Sequence, residues 1–240
     1  MDTRKHGLCF ISPPFGNYVS WNNAIRIYGS FTLETREGLF SQIIKTLRYS
    51  FHHKGWVNKI GLRNRGIEWA IRNVPSNDII SVAIMHDSDI PRLLEKIPNN
   101  RNIELNVSCP NVIKTSTGKQ LGDFIDSKRK WCIIKLSPTT TFCQIDEYYK
   151  QGFRQFHCCN TIPVEQGGLS GSAIRPYSSK QIYYLRKKYP ETELIGGGGV
   201  LNWSDVLYYQ NKGADHFSIS SGFFQPWKLM SIYWYYTRQK

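Results

Sequence analysis

Apolar residues in this chain fall in short runs, and nearly every run breaks off at Gly, Ser, Asn or Pro. Eight runs have the length and the β-branched or aromatic content of strands: residues 7–12, 24–31, 78–85, 102–108, 131–137, 153–159, 192–198 and 215–221. Helical spacing of apolar positions marks 66–74, 89–97, 145–151, 178–189 and 202–212, and 226–236 closes the chain as a further helix. Strands that alternate with helices lie parallel, because each crossover needs a helix to return the chain to the same edge. Eight of them predict a closed (β/α)8 TIM barrel, one α/β domain over residues 1–240. The connections at 13–23 and 118–130 are too short for a comfortable helix, so the barrel is expected to be compact with shortened helices. An open doubly wound sheet is the rival arrangement.

Composition narrows the setting. Apolar residues make up 40% of the chain and charged residues 20%, enough for a packed core and against disorder. No stretch approaches the ~20 apolar residues of a membrane span. The opening MDTRKHGLCFISPP has too short an apolar run for a secretory signal. The expectation is a cytoplasmic protein without membrane contact. The six cysteines form no CxxC pair and predict reduced thiols with no bound metal. A formal net charge of +13 raises nucleic acid as a partner. However, the basic residues sit in short clusters such as 128–130 and 186–188 that read as solvated helix faces, with no accompanying nucleic-acid motif, so none is expected. A basic surface equally attracts small anions.

The chemistry concentrates where strands end. In a barrel of parallel strands these ends converge on one face, where active sites are built. ELNVSCPN (104–111) begins as an alternating strand and ends in Asn106, Cys109 and Asn111, with Asn58 in NKIGL and Asn160–Thr161 in CCNTIP at other strand ends. Asparagine offers both donor and acceptor, so several together suit a planar, amide-rich ligand, and a thiol among them could act as a general base. Taken alone, Cys109 would read as an inert buried thiol. Lys135 lies in the apolar run CIIKLSP and needs a partner or an anion if it is buried. It either snorkels out of the strand end or stabilises negative charge in the barrel mouth. The run GGGG at 196–199 and DHFSISSGFF after the next strand offer bare N–H groups and the hydroxyls of Ser220 and Ser221 as a phosphate cradle. An isolated glycine run would be only a tight turn. GxGxxG is absent, so no dinucleotide site of that type is expected.

The stretches TLETREG, NKIGLRNRGI, ELNVSCPN, IIKLSP, CNTIP, GGLSGSAIRP and GGGGV occur in this order from about Phe31 to Phe224. Together they closely resemble the class 1 dihydroorotate dehydrogenases. The resemblance implies an FMN-binding oxidoreductase that converts (S)-dihydroorotate to orotate in pyrimidine biosynthesis, with the C6 hydride passing to N5 of the flavin. It implies Cys109 as the base for the C5 proton. Asn58, Asn106, Asn111, Asn160 and Thr161 would hold the pyrimidine and its carboxylate. Lys135 would stand beside the flavin N1–O2 edge, and Ser30 and Asn106 would also contact the flavin. Gly168, Gly171, Gly198, Gly199, Ser220 and Ser221 would wrap the ribityl chain and phosphate. The electron acceptor is left open between fumarate and a partner subunit, and the aromatic SIYWYY tail offers a face for a homodimer.

Three departures stand out against that pattern. The family's lysine at the end of strand two is Gly29 here, with Arg26 and Lys59 as candidates to supply the missing charge, and Gly29→Lys is expected to tighten orotate binding. The usual Gly-Thr of the phosphate loop is Ser220–Ser221, and the loop after strand one reads ISPPFGN in place of Ala-Ser-Gly. GGLSGSAIRP is also similar to dihydropyrimidine dehydrogenase, so a flavin enzyme for another dihydropyrimidine and a non-catalytic flavin-binding or scaffold barrel are the alternatives.

Overall fold

A computed structural model of the chain describes residues 7–107, 121–158 and 160–238. Twelve strands are numbered in chain order: β1 (Cys9–Ile11), β2 (Ile25–Phe31), β3 (Arg48–Ser50), β4 (Gly55–Asn58), β5 (Ile79–Ala83), β6 (Ile103–Asn106), β7 (Cys132–Leu136), β8 (Gln155–Cys158), β9 (Ile162–Val164), β10 (Gly167–Ser170), β11 (Glu193–Gly197) and β12 (His216–Ile219). The helices are α1 (Leu39–Thr46), α2 (Gly66–Asn73), α3 (Asp89–Lys96), α4 (Phe142–Lys150), α5 (Arg175–Lys188), α6 (Trp203–Asn211) and α7 (Met230–Thr237). Strands β1, β2, β5, β6, β7, β8, β11 and β12 close a parallel eight-stranded barrel. All eight match the predicted strands to within a few residues. Closure rules out the open sheet.

The helices are as spare as expected. Only a 3₁₀ turn, Phe15–Asn17, joins β1 to β2, and another, Gly122–Phe124, precedes β7. Two helices start on well-formed caps. Thr141 and Gln144 make a reciprocal capping box on α4, and Asn202 and Asp205 do the same on α6. Among the described residues no helix is long and apolar enough to cross a membrane.

Outside the barrel lies a four-stranded antiparallel sheet, β3-β4-β10-β9, absent from the sequence reading. It joins a hairpin inserted after β2 to a hairpin inserted after β8, with Asn58 opposite Gly168 and Trp56 opposite Ser170. Its strands are three or four residues long and three of its residues are glycine, so no period-two signal could build up. The helix α1 was also missed. None of its residues is fully buried, and Phe40 and Ile44 face solvent at 79% and 83% exposure.

Within the barrel, side chains stack in layers drawn from alternate strands. Phe10 (β1), Ile79 (β5), Ile133 (β7) and Ile195 (β11) form a lower apolar layer with Ile27 of β2 beside it. Their immediate neighbours along the strands, such as Ile80 and Ile134, belong to the larger cluster beneath the helices. Toward the strands' C-terminal ends the interior turns polar. Glu104 (β6), His157 (β8) and Ser218 (β12) come next, then Ser12 (just after β1), Ser81 (β5) and Lys135 (β7), all buried. The floor is therefore sealed by hydrocarbon, while the upper half is polar.

Truncating the floor should loosen the whole barrel. Ile133→Ala is expected to lower stability by about 2–5 kcal/mol, the usual cost of a buried large-to-small change. Phe40→Ala on the exposed face of α1 should stay within about 0.5 kcal/mol. Urea-denaturation midpoints of the two variants test the contrast.

Candidate active site

The polar half of the barrel is organised around one carboxylate. Glu104 is fully buried. One oxygen receives Lys135 Nζ at 3.3 Å and Ser81 Oγ at 2.9 Å, and the other meets His157 Nδ1 at 2.6 Å. Burial alone would raise its pKa. The charge of Lys135, the facing imidazole and the hydrogen bonds from His157 and Ser81 outweigh that and hold it at about 2. His157 is shifted below its ordinary value by burial first, then by the Lys135 charge, against the opposing pull of Glu104. At neutral pH the cluster is carboxylate, ammonium and neutral imidazole.

From this carboxylate a chain of hydrogen bonds climbs to the mouth, and every link has a fixed direction. Because Ser81 gives its proton to Glu104, its oxygen accepts from Ser30 Oγ at 2.9 Å. Ser30 in turn accepts from Asn106 Nδ2 at 3.0 Å, and Asn106 Oδ1 accepts from Asn160 Nδ2 at 3.0 Å. Asn160 Oδ1 receives the Thr161 N–H at 2.9 Å. Ser30, Asn106, Asn160, Thr161 and Lys135, picked out from β2, β6, β7 and the segment after β8, are thus one connected site. Donors aligned head to tail strengthen each other and fix both amides.

Asn58 reaches the site differently from expectation. It ends β4 of the added sheet, not a barrel strand, and lies opposite Gly168 of β10. A side chain at Gly168 would collide with Thr161 Oγ1 at 2.7 Å, so the glycine lets the sheet close on Thr161. Cys109 and Asn111 lie outside the described residues.

The glycine loops after β11 and β10 meet. Gly198 and Gly199 have φ of +101° and +69°, and a Cβ on Gly199 would come within 2.5 Å of Ser172, just past Gly171. Arg175 Nη2 clamps the Gly199 carbonyl at 2.9 Å while pairing with Asp205, and Tyr209 OH donates to the carbonyls of Gly197 and Gly198, each at 2.7 Å. With those carbonyls held from behind, the loop is stiff. Ser220 and Ser221 follow β12, the neighbouring strand. The Ser220 hydroxyl donates to the Pro13 carbonyl at 2.7 Å, which ties the loop after β12 to the loop after β1.

Gly29 also departs from expectation. Its φ is +119°, and an added Cβ would lie 2.7 Å from the Ser81 carbonyl oxygen and 2.9 Å from Phe31 N. A lysine cannot simply be installed there. Asn17 holds the spot instead, accepting the Gly29 N–H at 2.9 Å. Arg26 is no substitute. It pairs with Asp78 at 2.6 Å, level with the start of β5, and stacks over Tyr28. Lys59 follows Asn58 directly and is exposed.

Glu104, His157 and Ser81 were not singled out from sequence. The signal for Glu104 was present, since a lysine inside an apolar strand demands a carboxylate and ELNV holds one at the parity of Asn106. A cavity of about 560 Å³ opens at the opposite end of the barrel, lined by Leu8, Trp131, Glu193 and His216 among others, and holds none of the residues above. Chemistry in this architecture sits at the strands' C-terminal ends, so the polar mouth is the site.

A dihydroorotate dehydrogenase family profile matches residues 22–232. The dihydroorotate dehydrogenase B (NAD(+)) catalytic subunit of Bacteroides fragilis is 28% identical over 210 aligned positions, covering 71% of this chain and 67% of its own. The subunits of the same name from Brachyspira hyodysenteriae and Latilactobacillus sakei are 27% and 28% identical, covering 90% and 93% of this chain and 82% and 84% of theirs. A match that runs through nearly the whole barrel and its polar mouth places the chain in one family: it is an oxidoreductase belonging to the dihydroorotate dehydrogenase family.

Proposed function

We propose that the protein oxidises (S)-dihydroorotate to orotate with FMN as its cofactor. The observation that carries this reading is the directed chain of amides and hydroxyls, Asn160 to Asn106 to Ser30, standing over a buried and charged Lys135. The residues fit the cofactor. The loop of Gly198 and Gly199 leaves its N–H groups free of side-chain bulk, suiting a terminal phosphate, and Lys135 suits the electron-rich edge of an isoalloxazine ring. When bound, FMN supplies the two-electron acceptor for the C6 hydrogen of the substrate.

The chain's own residues do the rest. Asn106 and Asn160 hold each other in one orientation, so their amides present a fixed pattern to the pyrimidine edge. Asn58 contributes from the added sheet and Thr161 from the segment between β8 and β9, with Asn111 from the segment after β6. Cys109 takes the C5 proton as general base. At the cofactor end, Gly168 and Gly171 bring the sheet close, and the backbone N–H groups of Ser220 and Ser221 complete the phosphate cradle. The relatives are named as catalytic subunits, which favours a partner subunit as electron acceptor over fumarate. A cytoplasmic setting and self-association through the aromatic tail complete the proposal.

A second reading, an enzyme for a neutral dihydropyrimidine, rests on Gly29, which withholds one cation from a substrate carboxylate. Anaerobic flavin reduction separates the two. Dihydroorotate is expected to reduce the bound flavin at least tenfold faster than dihydrouracil, and the reverse order would assign the neutral substrate.

Chromophore released on denaturation is expected to be FMN. Release of FAD, or failure of the refolded protein to take up FMN, would overturn the cofactor assignment. For Cys109→Ala the expected outcome is intact flavin binding with flavin reduction slowed by ~10²-fold or more, the usual share of a general base. Stopped-flow absorbance under anaerobic conditions measures it, and an unchanged rate would remove Cys109 from that role.

A further inference from the structure

Lys135 has two strand partners in the barrel wall, Asn106 and His157, and the second is idle in the reading above. His157 is its Cα partner across β7 and β8 and is 2% exposed. It shares Glu104 with Lys135, each taking one carboxylate oxygen. The imidazole serves one carboxylate oxygen through Nδ1, while Ser81 and Lys135 share the other. The other ring nitrogen, Nε2, faces Gly197, where an added Cβ would sit 3.3 Å away, and the Ser218 side chain lies on the same side. The missing side chain leaves room at that nitrogen.

We infer that His157 is a proton-accepting site coupled to Lys135: it stays neutral while Glu104 is the only anion against the ammonium, and takes one proton when a second anion settles there. The second anion is the bound flavin once it carries electrons, so the inference rests on the flavin reading above. No bond between heavy atoms forms or breaks. Nδ1–H keeps its contact with Glu104, and Nε2 gains a proton from solvent.

The charges around the imidazole make the coupling direct. Among the described residues, β6 contributes Glu104 and β7 contributes Lys135, while β5, β11 and β12 contribute only Ser81, Gly197 and Ser218. The ring therefore sees one negative and one positive charge, and burial tips it to neutral. An anion at Lys135 Nζ cancels the positive member and leaves the ring facing net negative charge in a site screened from water. Its affinity for a proton must then rise. The electron pair would be stored beside Lys135 with its charge balanced inside the barrel wall.

The test follows His157 itself. Protein labelled with ¹³Cε1-histidine and loaded with FMN is titrated by NMR, oxidised and then reduced with dithionite, with loading checked by visible absorbance. The His157 signal is assigned by its loss in His157→Asn. If that variant does not fold, replacing His6, His52, His53, His86 and His216 in turn leaves His157 by elimination. The expected result is a neutral ring at pH 7 in the oxidised protein and an upward shift of its midpoint by about one to two pH units on reduction. Lys135→Met should raise the midpoint without any reductant, because the repelling charge is gone and Glu104 stays. Loaded protein whose His157 midpoint is unmoved by reduction overturns this inference and leaves the flavin reading standing. Protein that takes up no FMN overturns both.

Discussion

A carboxylate sealed inside a barrel costs several kcal/mol in lost hydration, and it persists only where charge and protons are delivered to both its oxygens. Glu104 is such a group, and the rest of the site follows from it. Lys135 is drawn into the barrel because Glu104 is there to meet it. Ser81 must point its proton inward, which turns Ser30, then Asn106, then Asn160 into donors facing the same way. The pattern of donors and acceptors offered at the mouth is thus dictated two layers below it. A change at Glu104 would scramble recognition without touching a ligand.

The polar upper half and the apolar floor divide the labour of the fold. Phe10, Ile79, Ile133 and Ile195 pack without polar atoms and hold the strands together. That leaves the upper layers free to carry groups that stability alone would not select. The glycine loops follow the same logic, with the Arg175, Asp205 and Tyr209 contacts bracing carbonyls from the rear so that the N–H face can stay bare.

Much of this was legible in the sequence, and the limits have physical causes. All eight barrel strands could be read because each is a buried apolar run cut by a polar or glycine residue. The strand ends named Asn106, Lys135, Asn160 and Thr161, the family resemblance added Ser30, and in the structure hydrogen bonds through Ser81 and Glu104 join them. The β3-β4-β10-β9 sheet was invisible, since strands of three or four residues carry no period. Glu104 went unremarked because its neighbours make a good strand with or without it. At Gly29 the sequence showed what was missing but not why. Only the backbone, with φ of +119° and the Ser81 carbonyl at its back, explains why a side chain is unwelcome there.

The added sheet carries one more implication, for the order in which the protein comes into being. Trp56 and Ser170, joined across β4 and β10, stand 114 positions apart in the chain. Between them run β5 through β8, four consecutive staves of the barrel. During synthesis the first hairpin emerges with nothing to pair against, and it waits while half the barrel is made. Closing so long a loop is favourable only once the intervening strands have shortened the path between its ends. Six staves of the wall therefore precede the covering sheet, and the loops after β11 and β12 reach the pocket later still.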